Sequence, residues 1–175
     1  RLAAKVTHFP ATAKRVIFLS MNGGPSHVDL FDHKPNLADY EGRQTADSAV
    51  ASNKGLLPSP FKFARHGQSG QWLSELSPNV AKHADDICFI NSMHTDLPNH
   101  SQAFIQMHTG SFQFTRPSLG AWSLYGLGTE NSNLPGFITL NPPSENGGAR
   151  NYGSAFLPAV YQATKIGTNQ IPEFY

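Results

Sequence analysis

The chain has one cysteine, little net charge and no long apolar run. Cys88 alone among 175 residues forms no internal disulfide, so cysteine usage does not report a redox compartment. Set within the apolar stretch Ile87-Cys88-Phe89-Ile90, Cys88 is expected to be a buried structural thiol. Thirteen basic side chains against twelve acidic ones leave a formal charge of +1, which removes the electrostatic case for nucleic acid or an anionic membrane surface. An apolar run such as Val16 to Leu19 is far short of the roughly twenty residues that span a bilayer. No repeat or heptad pattern is present. Position 1 is Arg rather than Met, which reads as a processed or incomplete chain.

Glycine and proline, fifteen and thirteen residues, are plentiful. Short elements joined by long connections are the expected architecture, as in a loop-rich α/β protein. Val16-Ile17-Phe18-Leu19 follows Lys14-Arg15 and precedes Gly23-Gly24-Pro25, the pattern of a strand buried on both faces. Open α/β sheets place ligands beyond the carboxyl ends of their strands, so Asn22, Ser26, His27, Asp29 and Asp32 are the first candidate cluster.

Residues 1–13 are expected to form an extended arm, and 36–60 a surface excursion with a short helix near Leu37 to Tyr40. Phe61 to Arg65 alternates as a short strand does, and His66 to Gly70 turns the chain. Leu73, Leu76, Val80, Ala81 and Ala84 recur at helical spacing, which predicts an amphipathic helix over 72–84 with a kink at Ser77-Pro78. Ile87 to Ile90 then reads as a second buried strand, and strand, helix, strand implies a right-handed parallel crossover.

The second polar cluster, His94 to Ser101, leaves that strand. Pro98 suits a first helical position and Gly110 the residue after the last turn, so a helix is expected over 98–109 with Ala103, Phe104 and Met107 inward. Asp96 then stands just before a helix amino terminus, where a carboxylate or an anionic substrate group is favoured. Helix caps are far commoner than catalytic carboxylates, and His94 and His100 match no strong metal-ligand spacing. A further helix opens at Arg116-Pro117-Ser118 and closes at Gly126 to Gly128. Phe137 to Leu140 is a third short strand, and 158–164 a helical turn. Three strands make a thin sheet that needs further strands to cover its faces, so a partner segment or partner chain is expected.

Five blocks carry a family resemblance. They are Lys14 to Leu19 with Gly23 to Pro35; Ser92 to His100; Arg116 to Trp122 with Tyr125 to Asn131; Leu134 to Phe137; and Gly153 to Gln162. In this order they resemble the DUF1501 proteins abundant in planctomycete bacteria. The resemblance implies an α/β fold, an alkaline-phosphatase-like sandwich with a mostly parallel sheet, incomplete in this chain. Residues 14–175 would be the N-terminal part of that domain, and the family's later Gly-Arg-Asp-His element is absent. It implies export behind a twin-arginine signal to the periplasm or cell surface.

It also implies a metal-dependent hydrolase of phosphate or sulfate esters, related to sulfatases and phosphodiesterases. The expected cofactor is zinc, calcium or manganese, and the expected substrate an anionic ester or sulfated polysaccharide. Asn22 stands where the hydrolases carry an aspartate ligand, and Asp96 where they carry a Thr, Ser or modified Cys nucleophile. A neutral amide is a poorer ligand for a hard cation, and a carboxylate is not the hydroxyl the relatives use. On this reading Asp96 and His100 are catalytic, Ser26 and Asn99 contact substrate, and Asn22 and His27 border the metal. The alternative is a non-catalytic exported binding or structural subunit that keeps the fold.

Overall fold

A computed structural model describes residues 2–13, 15–21, 23–44, 55–131 and 133–167. The chain divides into two compact units, Ser20–Thr95 and, discontinuous in sequence, Arg1–Leu19 with Asp96–Tyr175.

Unit Ser20–Thr95 is built on a hairpin. Strands β1 (Phe63–His66) and β2 (Gln71–Ser74) pair antiparallel, Phe63 opposite Ser74 and His66 opposite Gln71. Gly67 and Gly70 take φ of 68° and 67° in the connecting loop, a conformation that costs glycine no Cβ clash. The loop is pinned from outside. The Asp85 carboxylate, on a 3₁₀ turn (Ala84–Asp86), accepts from Gln68 N–H at 2.8 Å and Ser69 N–H at 2.9 Å. Those two backbone bonds, Ser69 first, and the Ser69 hydroxyl hold the Asp85 pKa below its ordinary 3.8.

One face of the hairpin buries Leu73 completely. On the opposite face His33 stacks on Phe63, centroids 4.7 Å apart, and leans on Trp72 at 4.6 Å, while the Arg65 guanidinium lies over the Trp72 ring. A one-turn helix α1 (His27–Leu30) and a 3₁₀ helix (Pro35–Tyr40) precede the hairpin.

The helix expected over 72–84 is not formed as such. Trp72 to Ser74 belongs to β2, and helix α2 occupies only Pro78–Ala81. Apolar residues at three- and four-residue spacing suit either a helix face or a strand followed by a turn. Pairing with β1 decides the first half, and Pro78, which cannot donate within a helix, confines the second.

The other unit holds the two longest helices, α3 (His100–Thr109) and α4 (Leu119–Leu127). α3 stops at Gly110, φ 74°, whose N–H returns to Gln106 O. Ser101 Oγ donates to Asn146 Oδ1 at 2.9 Å, tying the first turn of α3 to the 145–151 loop. α4 begins at Ser118, 1% exposed, whose Oγ accepts from Ala121 N–H while its own N–H donates to Gly153 O. Ala121 and Leu124 bury one side of α4. A Cβ on Gly120 would overlap the Phe137 ring at 2.3 Å, so the glycine sets how closely the 134–137 segment approaches. Strands β3 (Ile138–Leu140) and β4 (Thr164–Ile166) pair in parallel. Lys5 N–H donates to Leu127 O at 2.8 Å, fastening the N-terminal arm to the end of α4.

The content is mixed helix and strand, in keeping with an α/β class, with two-stranded sheets, one parallel and one antiparallel. Two of the expected strands are absent. Val16 to Leu19 pairs with nothing among the described residues, and Val16, Ile17 and Leu19 are 79%, 82% and 84% exposed. Ile87 to Ile90 is likewise extended without a ladder, and Cys88 is exposed rather than buried. The expected crossover therefore does not form. The reason is physical: an apolar run is buried on two faces only if neighbouring strands and covering helices are supplied, and the described residues supply neither.

Candidate functional site

Asn99 and His100 form the amino end of α3, and Asp96 precedes it. Asn99, in extended backbone at φ −87° and ψ 126°, is the N-cap. Its Oδ1 accepts from Ser101 N–H at 3.0 Å and Gln102 N–H at 3.4 Å, which satisfies two of the four N–H groups that a helix start leaves free. The helix begins at His100, two residues after Pro98, and Asp96 lies three residues before the cap. Asp96 is thus neither the cap nor part of the first turn, correcting its expected place beside the terminus. An Asn side chain needs only extended backbone to reach two amides, and that outweighs the preference of Pro98 for a first helical position.

Asp96 and His100 are exposed, and neither side chain has a hydrogen-bond or ion-pair partner among the described residues. His108, at the other end of α3, bonds Phe104 O through Nδ1 at 2.9 Å and meets the Phe18 ring edge-on at 5.2 Å; it is held structurally.

Ser26 and His27 lie in the Ser20–Thr95 unit. Ser26 precedes α1 without a side-chain bond to the helix backbone, and His27 is the first, exposed residue of that single turn. Asn22 lies outside the described residues. Asp29, half-buried on α1, is the more constrained group: bonds from the Ser59 hydroxyl, then from Ser26, pull its pKa below 3.8. Asp32 is paired with Lys34 at 2.8 Å. The candidate residues are therefore divided by unit, Ser26 and His27 in one and Asp96, Asn99 and His100 in the other.

Among the described residues no group of three or more His, Cys, Asp or Glu is placed to hold a metal ion. The expected metal-side pair, an amide at Asn22 and an imidazole at His27, offers no carboxylate. Structural and catalytic sites alike need three or more convergent donors. The described donor set does not fit a divalent cation.

Two features escaped the sequence. A cavity of about 780 Å³ opens beside α4, walled by Leu2, Ala3, Leu124, Leu134, Phe137 and Val160, with Glu130, Asn131 and Gln162 as polar lining. None of the candidate site residues reaches it; much of its wall comes from the Tyr125–Asn131, Leu134–Phe137 and Gly153–Gln162 blocks, which the sequence marked as motifs without showing that they meet around one space. Asn151, 7% exposed, donates through Nδ2 to Asn146 O at 2.8 Å but leaves its Oδ1 buried without a partner. No helix is long and apolar enough to cross a membrane among the described residues.

Comparison with curated proteins and with solved structures returned no match. Compared with known families, residues 13–173 match the one described as "Protein of unknown function (DUF1501)". That match covers most of the chain, from the foot of the Val16 run to beyond β4, and includes all five sequence blocks. The chain belongs to the DUF1501 family.

Proposed function

We propose that this chain is the N-terminal portion, residues 14–175, of an alkaline-phosphatase-like α/β sandwich in an exported hydrolase of phosphate or sulfate esters. The observation that carries this reading is the Asp96-Leu97-Pro98-Asn99-His100 segment: an exposed imidazole on the first residue of a ten-residue helix and an exposed carboxylate four residues before it, both unspent on structural bonds. The order of the five sequence blocks supports it as well.

In the proposed reaction on a phosphate monoester, the Asp96 carboxylate attacks phosphorus and the ester P–O bond breaks. The leaving oxygen takes a proton from His100, and water then releases phosphate from the aspartyl intermediate. Asn99, in the same unit as Asp96 and His100, is the proposed substrate contact. The implied divalent cation has no fitting donor set among the described residues, so no step runs through it.

The test is hydrolysis of 4-nitrophenyl phosphate and 4-nitrophenyl sulfate by the protein isolated from its native cells, with and without added zinc, manganese or calcium. Asp96→Ala and His100→Ala should each lower a measurable rate by about 100-fold or more. Rates unchanged in both variants would remove these residues from any catalytic role. Fractionation of the same cells tests export.

One observation favours the second reading, a non-catalytic binding or structural subunit. The first-turn amides of α3 that would receive an anion are already taken by Asn99 Oδ1. Absence of ester hydrolysis under every metal condition would support that reading.

A further inference from the structure

The N-terminal arm is held at one residue. Among the described residues, every hydrogen bond from 2–13 to the rest of its unit is made by Lys5. Its N–H donates to Leu127 O and its Nζ to Tyr125 O, while the ammonium lies over the Tyr125 ring, 4.7 Å from the centroid. Both acceptors are carbonyls of the last turn of α4, which a helix leaves without internal partners and which carry the negative end of its dipole. Gly128 makes the approach possible. It takes φ 71° and ψ −155°, a conformation that residues with side chains rarely adopt, and a Cβ there would lie 2.0 Å from Ala3 O. Residues 3–13 are exposed.

Immediately before this latch, Leu2, Ala3 and Ala4 form one wall of the 780 Å³ cavity beside α4. That volume is typical of a small-molecule site, roughly 300–1,000 Å³ with a mostly apolar lining and a few polar groups. Leu124, buried, and Phe137, half-buried, line its depth, and Glu130 and Gln162 stand exposed at its rim. Asn131 is committed locally, its Oδ1 accepting from the N–H groups of Asn133 and Leu134. Glu130 pairs with no cation among the described residues, and neither its side chain nor that of Gln162 makes a hydrogen bond there. The charge that the lining offers to a ligand is therefore a single carboxylate.

We propose that this cavity binds a small apolar amine, with its body on Leu124 and Phe137 and its ammonium at Glu130, and that residues 2–5 are a strap closing over it. With Lys5 engaged, residues 2–4 complete the wall. With Lys5 released from α4, no hydrogen bond holds them in place, and the same movement admits or frees the ligand. The inference is independent of the hydrolase reading, since no residue from Asp96 to His100 lines the cavity.

Stopped-flow fluorescence with dansylcadaverine, an apolar ring system bearing an ammonium, tests both parts in the protein taken intact from its native cells and in variants made there. The parent should bind the dye saturably and prefer it about fivefold to dansylglycine, the same ring system bearing a carboxylate, which is the upper worth of an exposed ion pair. Glu130→Gln should remove that preference. Ala159→Trp, at an exposed position of the wall, should abolish binding by filling the space. Lys5→Ala removes a charge-assisted bond and should speed association and dissociation together by about tenfold; a wall that did not move would change dissociation alone. Saturable binding that is missing from the parent, that survives Ala159→Trp, or that is no stronger for the amine than for the carboxylate would overturn the site. Association equally fast in Lys5→Ala and in the parent would overturn the strap.

Discussion

Leu73→Ala is the most demanding test of the hairpin unit. Leu73 is fully buried on β2, between Trp72 and Ser74. Leu→Ala substitutions at fully buried sites cost about 2.7–5.0 kcal/mol, rising with the cavity left behind. β2 has a single neighbour, β1, so the surroundings can relax into the space and the cost should fall near the lower limit, about 3 kcal/mol. With a urea slope of about 1–3 kcal/mol/M, the midpoint should drop by roughly 1–3 M. Trp72 lies beside His33 in the same unit, and in a Trp122→Phe background it is the sole tryptophan, so its emission reports this unit alone. Leu76→Ala, half-exposed, is the control and should stay within about 0.5 kcal/mol of the parent. A midpoint for Leu73→Ala that moves no further than the control would refute the full burial of Leu73 in this unit.

At α3 the two candidate caps separate cleanly: Asn99→Ala should cost about 1 kcal/mol, whereas Asp96→Ala should fall within about 0.5 kcal/mol, both read by chemical denaturation. The Asp85 carboxylate is held below 3.8 when folded, so its contribution is present above the unfolded pKa and lost as pH falls through the depressed folded value. Exchange at the Gln68 and Ser69 amides, corrected for intrinsic rate, should therefore quicken only on acidification below about pH 4, and Asp85→Asn should abolish that dependence. Gly67→Ala combines φ of 68° with a Cβ 2.4 Å from Asp85 Oδ1 and should destabilise by about 1 kcal/mol or more in thermal melts. Cys88, exposed, should react fully with a maleimide in the absence of denaturant; protection in the isolated chain would contradict its placement.

Where the structure agrees with the sequence, the signal was local. The alternation of Phe61 to Arg65 marks a strand, which forms two residues later at its start and takes in His66, expected in the turn (β1, Phe63–His66). Gly110 supplies the left-handed residue that ends α3, Pro117-Ser118 opens α4, and the short apolar run before Asn141 becomes β3. Each needs only neighbours a few residues away. Val16 to Leu19 and Ile87 to Ile90 show the limit: their composition says that they want burial, but not what buries them, and that partner is a non-local fact. β4 gave no signal, because Thr-Lys-Ile has neither the length nor the hydrophobicity to stand out and is a strand only through its register with β3.

The candidate site divides in the same way. The polar turn before α3 was visible, yet the choice of Asn99 over Asp96 as cap rested on backbone geometry. The role of Asp85 depends on a loop sixteen residues earlier in the chain, and spacing does not reveal it.

The bond from Lys5 to Leu127 has a consequence for biosynthesis. Its acceptor is made 122 residues after its donor, while the Ser20–Thr95 unit is a continuous stretch lying between the two halves of the other. At about 5–20 residues per second, the N-terminal arm waits on the order of 6–25 s at the ribosome for the helix end that receives it. The hairpin unit emerges whole during that interval. The order of synthesis thus favours a middle that is finished before either flank, and leaves the arm available to chaperones until α4 has been made.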